Sequence, residues 1–200
     1  MITNILIYAQ GEGTRFPGKH FKTIRGVPIL ERTVDILRGY TDQVTVIGPD
    51  TENYQRLDCA LYTQPDAGKG LLDGIFNTFH LWKYGSIILL GDVVYSRQLI
   101  ETMLTGARPF IMYGRTSANP FIGKSHTERF GLKVCAPQAE YLYNKLDWIY
   151  RSVNDGRLWR LYNRCQGVMD WHECEDWTDD VDTLDDLTLM RNYCEHLTDF

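Results

Sequence analysis

The sequence predicts an α/β fold with a largely parallel sheet, and three observations carry that prediction. Short apolar runs at residues 4–9, 43–47, 60–63, 86–90 and 110–113 alternate with stretches of helical periodicity. The runs Ile5-Leu6-Ile7-Tyr8-Ala9 and Ile87-Ile88-Leu89-Leu90 are apolar throughout, as in strands covered on both faces. Glycine-bearing segments follow the first and fourth of these strands, Gly11 to Lys19 and Gly91-Asp92. Ligands of such sheets bind beyond the carboxyl ends of the strands, so the two segments should meet in one crevice.

The elements follow in order. Residues 4–9 read as a buried strand. Val27, Leu30, Val34 and Leu37 recur at helical spacing, so a helix is expected from Pro28 to about Arg38, with proline suited to its first turn. Strands at 43–47 and 60–63 follow. Leu72, Ile75, Phe76 and Phe79 form a helical stripe, and 86–90 is a fourth strand. Ser96 caps the next helix, whose inner face carries Leu99, Ile100, Met103 and Leu104. The fifth strand is 110–113. Residues 115–128 are polar, with Asn119-Pro120 and Gly123, and read as an excursion from the sheet. A strand returns at 132–135. Leu142, Leu146, Ile149 and Val153 mark a helix, 158–162 a further one, and Leu187, Met190, Cys194 and Leu197 a terminal one. No internal repeat or linker interrupts residues 1–200, so a single domain is expected.

At 200 residues the chain can bury a sizeable core, and 44% hydrophobic with 24% charged residues is globular composition. A net charge of −5 argues against a protein that coats nucleic acid. No apolar stretch reaches membrane-spanning length, and no charged segment precedes an apolar signal core, so a cytoplasmic protein is expected. The five cysteines form no C-x-x-C pair and read as free thiols in a reducing compartment.

The loop Gly11-Glu12-Gly13-Thr14-Arg15-Phe16-Pro17-Gly18-Lys19 suits a phosphate-rich ligand. Its glycines let backbone N–H groups approach phosphate oxygens, and Arg15 and Lys19 balance the charge. It is not a dinucleotide fingerprint, because Phe16 takes the place of the third glycine. It is a poor P-loop, because His20 replaces the Ser or Thr that would meet Mg²⁺ and Pro17 lacks a donor.

The order Ala9-Gln10-Gly11-Glu12-Gly13-Thr14-Arg15, then Pro17-Gly18-Lys19, then Gly26-Val27-Pro28-Ile29-Leu30-Glu31 resembles the opening signature of the sugar-phosphate nucleotidyltransferase superfamily. Arg15 to Lys19 is close to the form found in cytidylyltransferases that activate sugar acids. Gln10 stands where Ala is common. The resemblance implies a three-layer αβα sandwich with a mixed, mostly parallel sheet, like that of nucleotide-diphospho-sugar transferases. It also implies a role in nucleotide-sugar biosynthesis.

Asp92 ends a wholly apolar strand, behind a glycine that admits a ligand to the backbone. The same position in the superfamily binds the metal, and Asp92 is favoured over a plain turn residue as a Mg²⁺ ligand. The late segment Asp179-Asp180-Val181-Asp182-Thr183-Leu184-Asp185-Asp186-Leu187 is similar to the superfamily's second signature, in which Asp182 matches the second metal-binding Asp. Asp180, two residues earlier, would share a strand face with it; for Asp180 the ligand and structural readings stand level. Thr183 caps the terminal helix, with Asp185 and Asp186 in its first turn. Mg²⁺ takes oxygen ligands and keeps waters and phosphates in its shell, which two carboxylates and a triphosphate satisfy.

Gln64 and Gly68 lie in a turn after the third strand, comparable to the segment with which the superfamily reads the base. His172 and Cys174 match no standard zinc spacing and read as incidental. Trp148, Tyr150, Trp159 and Tyr162 read as helix core before pocket lining, and Arg129-Phe130-Gly131 as a turn beside the acceptor site.

The resemblance thus implies a Mg²⁺-dependent nucleotidyltransferase acting on an NTP and a sugar phosphate or related anionic acceptor, with pyrophosphate as product. Gly11 and Gly13 would bind the phosphates, Arg15 and Lys19 would serve catalysis, and Asp92, Asp182 and Asp180 would hold metal. A glycosyltransferase of related fold is the alternative, though a diphosphate sugar needs the two loop cations less. A silent nucleotide-binding subunit is another, against which both carboxylates argue. A homodimer is left open, and neither nucleic acid nor membrane is expected as a partner.

Overall fold

The computed structural model describes residues 4–10, 16–64, 70–124, 127–152, 157–198 and 200. The chain runs β1 (Asn4–Tyr8), β2 (Thr23–Ile24), β3 (Val27–Pro28), α1 (Ile29–Arg38), β4 (Val44–Ile47), α2 (Glu52–Gln55), β5 (Ala60–Tyr62), α3 (Leu71–Asn77), α4 (Phe79–Trp82), β6 (Gly85–Leu90), β7 (Val93–Val94) and α5 (Arg97–Thr105). It continues through β8 (Phe110–Arg115), β9 (Glu128–Cys135), α6 (Ala136–Ser152), α7 (Leu158–Arg164), β10 (Asp170–Glu173), β11 (Asp179–Asp180) and α8 (Leu184–Cys194). Among the described residues, seven strands form the main sheet in the order β10-β8-β9-β6-β1-β4-β5. Within this sheet β9 runs antiparallel to both of its neighbours, and the other pairings are parallel.

Alternation along β1 divides the core. Ile5 and Ile7 face a layer with Leu30, Val34 and Leu37 of α1 and Leu99, Ile100 and Met103 of α5. Leu6 and Tyr8 face the opposite layer, with Leu72 and Ile75 of α3, Trp82 of α4, Leu142 and Leu146 of α6 and Leu161 of α7. The fold is therefore the expected αβα sandwich. A third cluster lies beyond the sheet, where α8 packs Leu187 and Met190 on Ile24, Ile29, Val94 and Trp177.

Several features differ from expectation, among them these. The stripe through Leu72 and Phe79 is two helices, because Thr78 turns its hydroxyl back to the Gly74 carbonyl at 2.7 Å and meets the Tyr8 hydroxyl at 2.5 Å. Arg129-Phe130-Gly131 is strand rather than turn, since β9 starts at Glu128. β10 has no counterpart in the sequence pattern: its Asp-Trp-His-Glu sequence has no apolar run, and it pairs with β8 at the sheet edge.

Two devices fix the carboxyl edge of the sheet. A Cβ on Gly91 would lie 2.6 Å from the Ala9 Cβ, so only glycine lets the turn after β6 pass against the chain leaving β1. The fully buried Tyr95 hydroxyl accepts from Leu90 N at 2.9 Å and donates to Phe130 O at 2.5 Å, tying that turn to β9. Removing it leaves buried backbone groups unpaired, which costs about 1–3 kcal/mol. Tyr95→Phe is therefore expected to lower the unfolding free energy by that amount, read from the urea midpoint; an unchanged midpoint contradicts the role given to this hydroxyl.

Candidate active site

The site is assembled from four strand ends and one late segment. Lys19 begins a single 3₁₀ turn (Lys19–Phe21) that closes the loop after β1. Asp92 lies in the turn between β6 and β7. β7 pairs antiparallel with β11, Val94 with Asp179 and Val93 with Asp180, and Val181 N donates to Asp92 O at 2.9 Å. That pairing carries Asp182 to the side of Asp92, although ninety positions separate them in the chain.

Lys19 Nζ joins the two acids. It donates to Asp182 Oδ1 at 2.6 Å and forms an ion pair with Asp92. Burial alone would lower the Lys19 pKa; the charge of Asp92 and the bonds to both carboxylates outweigh it and hold the ammonium above its ordinary value. Two carboxylates that share one cation present oxygens to a common point. This donor set fits a hard divalent ion that keeps water and phosphate in its shell. Among the described residues no group of three or more His, Cys, Asp or Glu side chains is placed to hold a metal, and a site of this kind does not require one.

Asp180 stands differently from Asp182. β11 ends at Asp180, so the two do not share a strand face as expected. The Asp180 carboxylate is engaged by Lys124, whose Nζ also donates to Asp180 O at 2.9 Å and lies 3.4 and 3.5 Å from Asp179 and Asp186. Lys124 comes from the polar excursion after β8 and is buried. Asn119 on the same excursion donates to Asp179 Oδ2 at 2.8 Å. Thr183 and Asp186 form a reciprocal capping box at the start of α8, so Asp186 has the structural role expected of it.

A cleft of about 570 Å³ opens over this centre. Lys19, Asp92, Asp182, Glu128, Arg129 and Trp159 are among its lining. Glu128 is pushed up to about 7, first by burial, then by the charges of Asp179, Asp182 and Asp92, with Lys124 opposing. A second pocket, about 700 Å³, lies on the other side of Lys19 and is bounded by Gln10, Phe21, Pro49, Thr51, Tyr54 and Gln64. The structure thus groups Lys19, Asp92, Asp182 and Asp180 about one cleft and Gln64 about its neighbour. Gly11, Gly13, Arg15 and Gly68 lie outside the described residues. Sequence reasoning misses Lys124, Glu128 and Arg157 as site residues. Lys124 and Arg157 sit in loops without periodicity, and nothing local marks Lys124 as buried. Of the aromatics, Trp159 lines the cleft, whereas Trp148 and Tyr150 are exposed. Among the described residues the cysteines are unpaired, and no helix is long and apolar enough to cross a membrane.

An αβα sheet with a lysine and two acids at its carboxyl edge defines a nucleotide-handling enzyme class. The profile of the MobA-like NTP transferase domain matches residues 5–164, and the chain belongs to that family; it is a nucleotidyltransferase. The matched span ends before Asp180 and Asp182. Among solved structures, the chain is similar to 4-diphosphocytidyl-2C-methyl-D-erythritol synthase from Anaerococcus prevotii (TM-score 0.70, 10% identity, covering 98% of this chain and 96% of that one). It is also similar to CTP:phosphocholine cytidylyltransferase from Streptococcus pneumoniae (0.67, 15%, 96% and 99%). A third is UDP-glucose pyrophosphorylase from Acinetobacter baumanii (0.67, 12%, 100% and 96%). At these identities the likeness is one of fold. No curated protein sequence matches the chain.

The raised Glu128 pKa has a sign that can be checked. An acid that holds its proton more tightly when folded contributes stability fully below its unfolded value, near 4.5, and loses it as pH rises through about 7. In chelator, wild type is expected to lose about 3 kcal/mol relative to Glu128→Gln between pH 4.5 and 8. Parallel stability curves for the two proteins contradict the burial of this carboxyl.

Proposed function

We propose that the chain is a single-domain, Mg²⁺-dependent nucleotidyltransferase that moves an NMP from an NTP to a sugar phosphate or related anionic acceptor and releases pyrophosphate. The observation that carries this reading is the convergence of Asp92 and Asp182 on Lys19 between two pockets. The family membership supports the transfer chemistry, and the acid pair supports the metal.

In this reading the base occupies the pocket beside Gln64, and the triphosphate crosses Lys19 towards the two acids. The acceptor lies in the cleft with Arg129 and Trp159. An acceptor oxygen attacks the α-phosphorus, its bond to phosphorus forms, and the bond to the β-phosphate bridging oxygen breaks with pyrophosphate leaving. Asp92 and Asp182 would hold Mg²⁺, which would supply charge neutralisation for the phosphates. Lys19, with Arg15, stabilises the charge that builds on the leaving pyrophosphate. Gly11 and Gly13 present backbone donors to the phosphates. Asp180 is held by Lys124, so its carboxyl is engaged away from Lys19. Positioning and electrostatics do this chemistry without a protein nucleophile.

Pyrophosphate release should be measured with Mg²⁺ across the four NTPs, each crossed with sugar phosphates, sugar acids and phosphocholine. One combination is expected to turn over, and Asp92→Ala to cut that rate by roughly a hundredfold or more, the scale of losing a group that stabilises transition-state charge. A folded Asp92→Ala protein with undiminished turnover would sink the metal assignment. Loss of Lys19 (Lys19→Met) is expected to depress the rate by a similar factor, with the fold checked by circular dichroism.

A further inference from the structure

Lys19 meets Asp182 at a fixed place only if two things are held: the backbone that Lys19 springs from and the segment that carries the acid. A lysine stem is long and flexible, so the ion pair alone holds neither. The structure holds both with one helix. At its first turn, α8 grips the chain at Asp182: the Asp186 carboxylate accepts from Asp182 N at 3.1 Å and from Thr183 N at 2.9 Å. Further along, the same helix grips the chain that leaves Lys19. Arg191 Nε donates to Thr23 O at 2.7 Å, and its Nη2 lies 3.5 Å from Thr23 Oγ1, although 168 positions separate the two residues. The grips at Asp186 and Arg191 are roughly 7.5 Å apart along the helix axis.

Thr23 lies close behind Lys19. Lys22 N donates to Lys19 O at 3.1 Å, closing the 3₁₀ turn, and Thr23 follows as the first residue of β2. β2 and β3 form a two-stranded pair outside the main sheet. So short a hairpin does not hold itself in place, and packing must do so. Ile29 N donates to Lys22 O at 3.1 Å and ties the hairpin to the start of α1. On its other side, buried Ile24 packs with Leu187 and Met190 of α8. The hairpin turns through Arg25 and Gly26, both at positive φ, and Arg25 donates to Leu197 O at 2.8 Å just past the end of α8. α1 thus sets the hairpin against the sheet, and α8 sets it against Asp182.

We propose that Arg191 is a positioning residue for Lys19: through Thr23 it fixes where the 3₁₀ turn stands relative to Asp182, and so where the Lys19 ammonium meets the pyrophosphate end of the substrate. This rests on the role given to Lys19 in the proposed function. Arg191 lines neither of the two pockets, so its effect on an anion bound there passes through other residues. A guanidinium suits the task, because its planar fork addresses a carbonyl and a hydroxyl of one residue in a set geometry.

The test is a double-mutant cycle on the product. Equilibrium binding of inorganic pyrophosphate in Mg²⁺ should be measured by calorimetry on wild type, Lys19→Met, Arg191→Met and the double variant, with folding checked by thermal melting. Lys19→Met is expected to weaken binding by about tenfold or more, the scale of one charge-assisted hydrogen bond. Arg191→Met is expected to weaken it by roughly fivefold, within the range of coupled residues. The double variant should bind no more weakly than Lys19→Met, because residues that act as one unit are not additive. The melting-temperature cost of Arg191→Met should persist in the double variant while its binding cost disappears, which a merely structural role does not produce. Arg191→Lys, which keeps the charge and a donor, should recover part of the affinity. If Arg191→Met does not fold, Arg191→Gln takes its place in the cycle. A folded Arg191 variant that binds as wild type, or whose loss multiplies that of Lys19→Met, overturns the positioning role while the role of Lys19 stands. If wild type does not bind pyrophosphate, or Lys19→Met binds it as tightly as wild type, the role of Lys19 is itself wrong and the proposal fails with it.

Discussion

The structure depends on β1 being a parallel strand paired on both sides, to β6 through residues 4–8 and to β4 through residues 5–8. A strand in that position must be apolar on both faces, and Ile5, Leu6 and Ile7 are all essentially inaccessible. Because β4, β5 and β6 run the same way, their chains all emerge at one edge of the sheet. Polar and glycine residues that the buried strands exclude are therefore concentrated there. Gln10 and Lys19 after β1, Gly48 after β4, Gln64 after β5 and Asp92 after β6 line adjoining pockets for that reason.

The remaining acid comes from outside the parallel unit. Asp182 follows β11, which docks on β7 just past Asp92, and a web of buried bonds fixes the approach. Arg115 donates to Thr178 O at 3.2 Å and bonds Asp176 O; Ser96 N donates to Thr178 Oγ1 at 2.9 Å, and Ser96 Oγ meets Asp176 Oδ2 at 2.6 Å. Lys124 then ties Asp179, Asp180 and Asp186 to one ammonium. Removing one partner of such a buried ionic cluster strands the others, so the late segment has little freedom to depart from Asp92.

Much of the fold is legible in the sequence because its strands are unbroken apolar runs and its helices carry clear stripes. The caps at Ser96 and Thr183 are legible too, since their side chains act within three residues. The illegible parts depend on distant partners. Nothing around Lys124 in the chain tells that three aspartates will surround it, and the strand at Asp170 to Glu173 exists because β8 offers it an edge. The break at Thr78 likewise needs Tyr8, seventy residues earlier. Local chemistry can be read from a sequence; pairings across the sheet edge require the fold.

The central claim is that Asp92 and Asp182 form a divalent-cation site that NTP completes. Mn²⁺ binding followed by electron paramagnetic resonance, with and without the preferred NTP, tests it most directly. Wild type should take up one Mn²⁺ in an NTP-dependent way, and the folded Asp92→Asn/Asp182→Asn double variant should lose that uptake while its free NTP still titrates Mn²⁺ as in buffer. Undiminished protein-bound Mn²⁺ in the double variant would contradict the account.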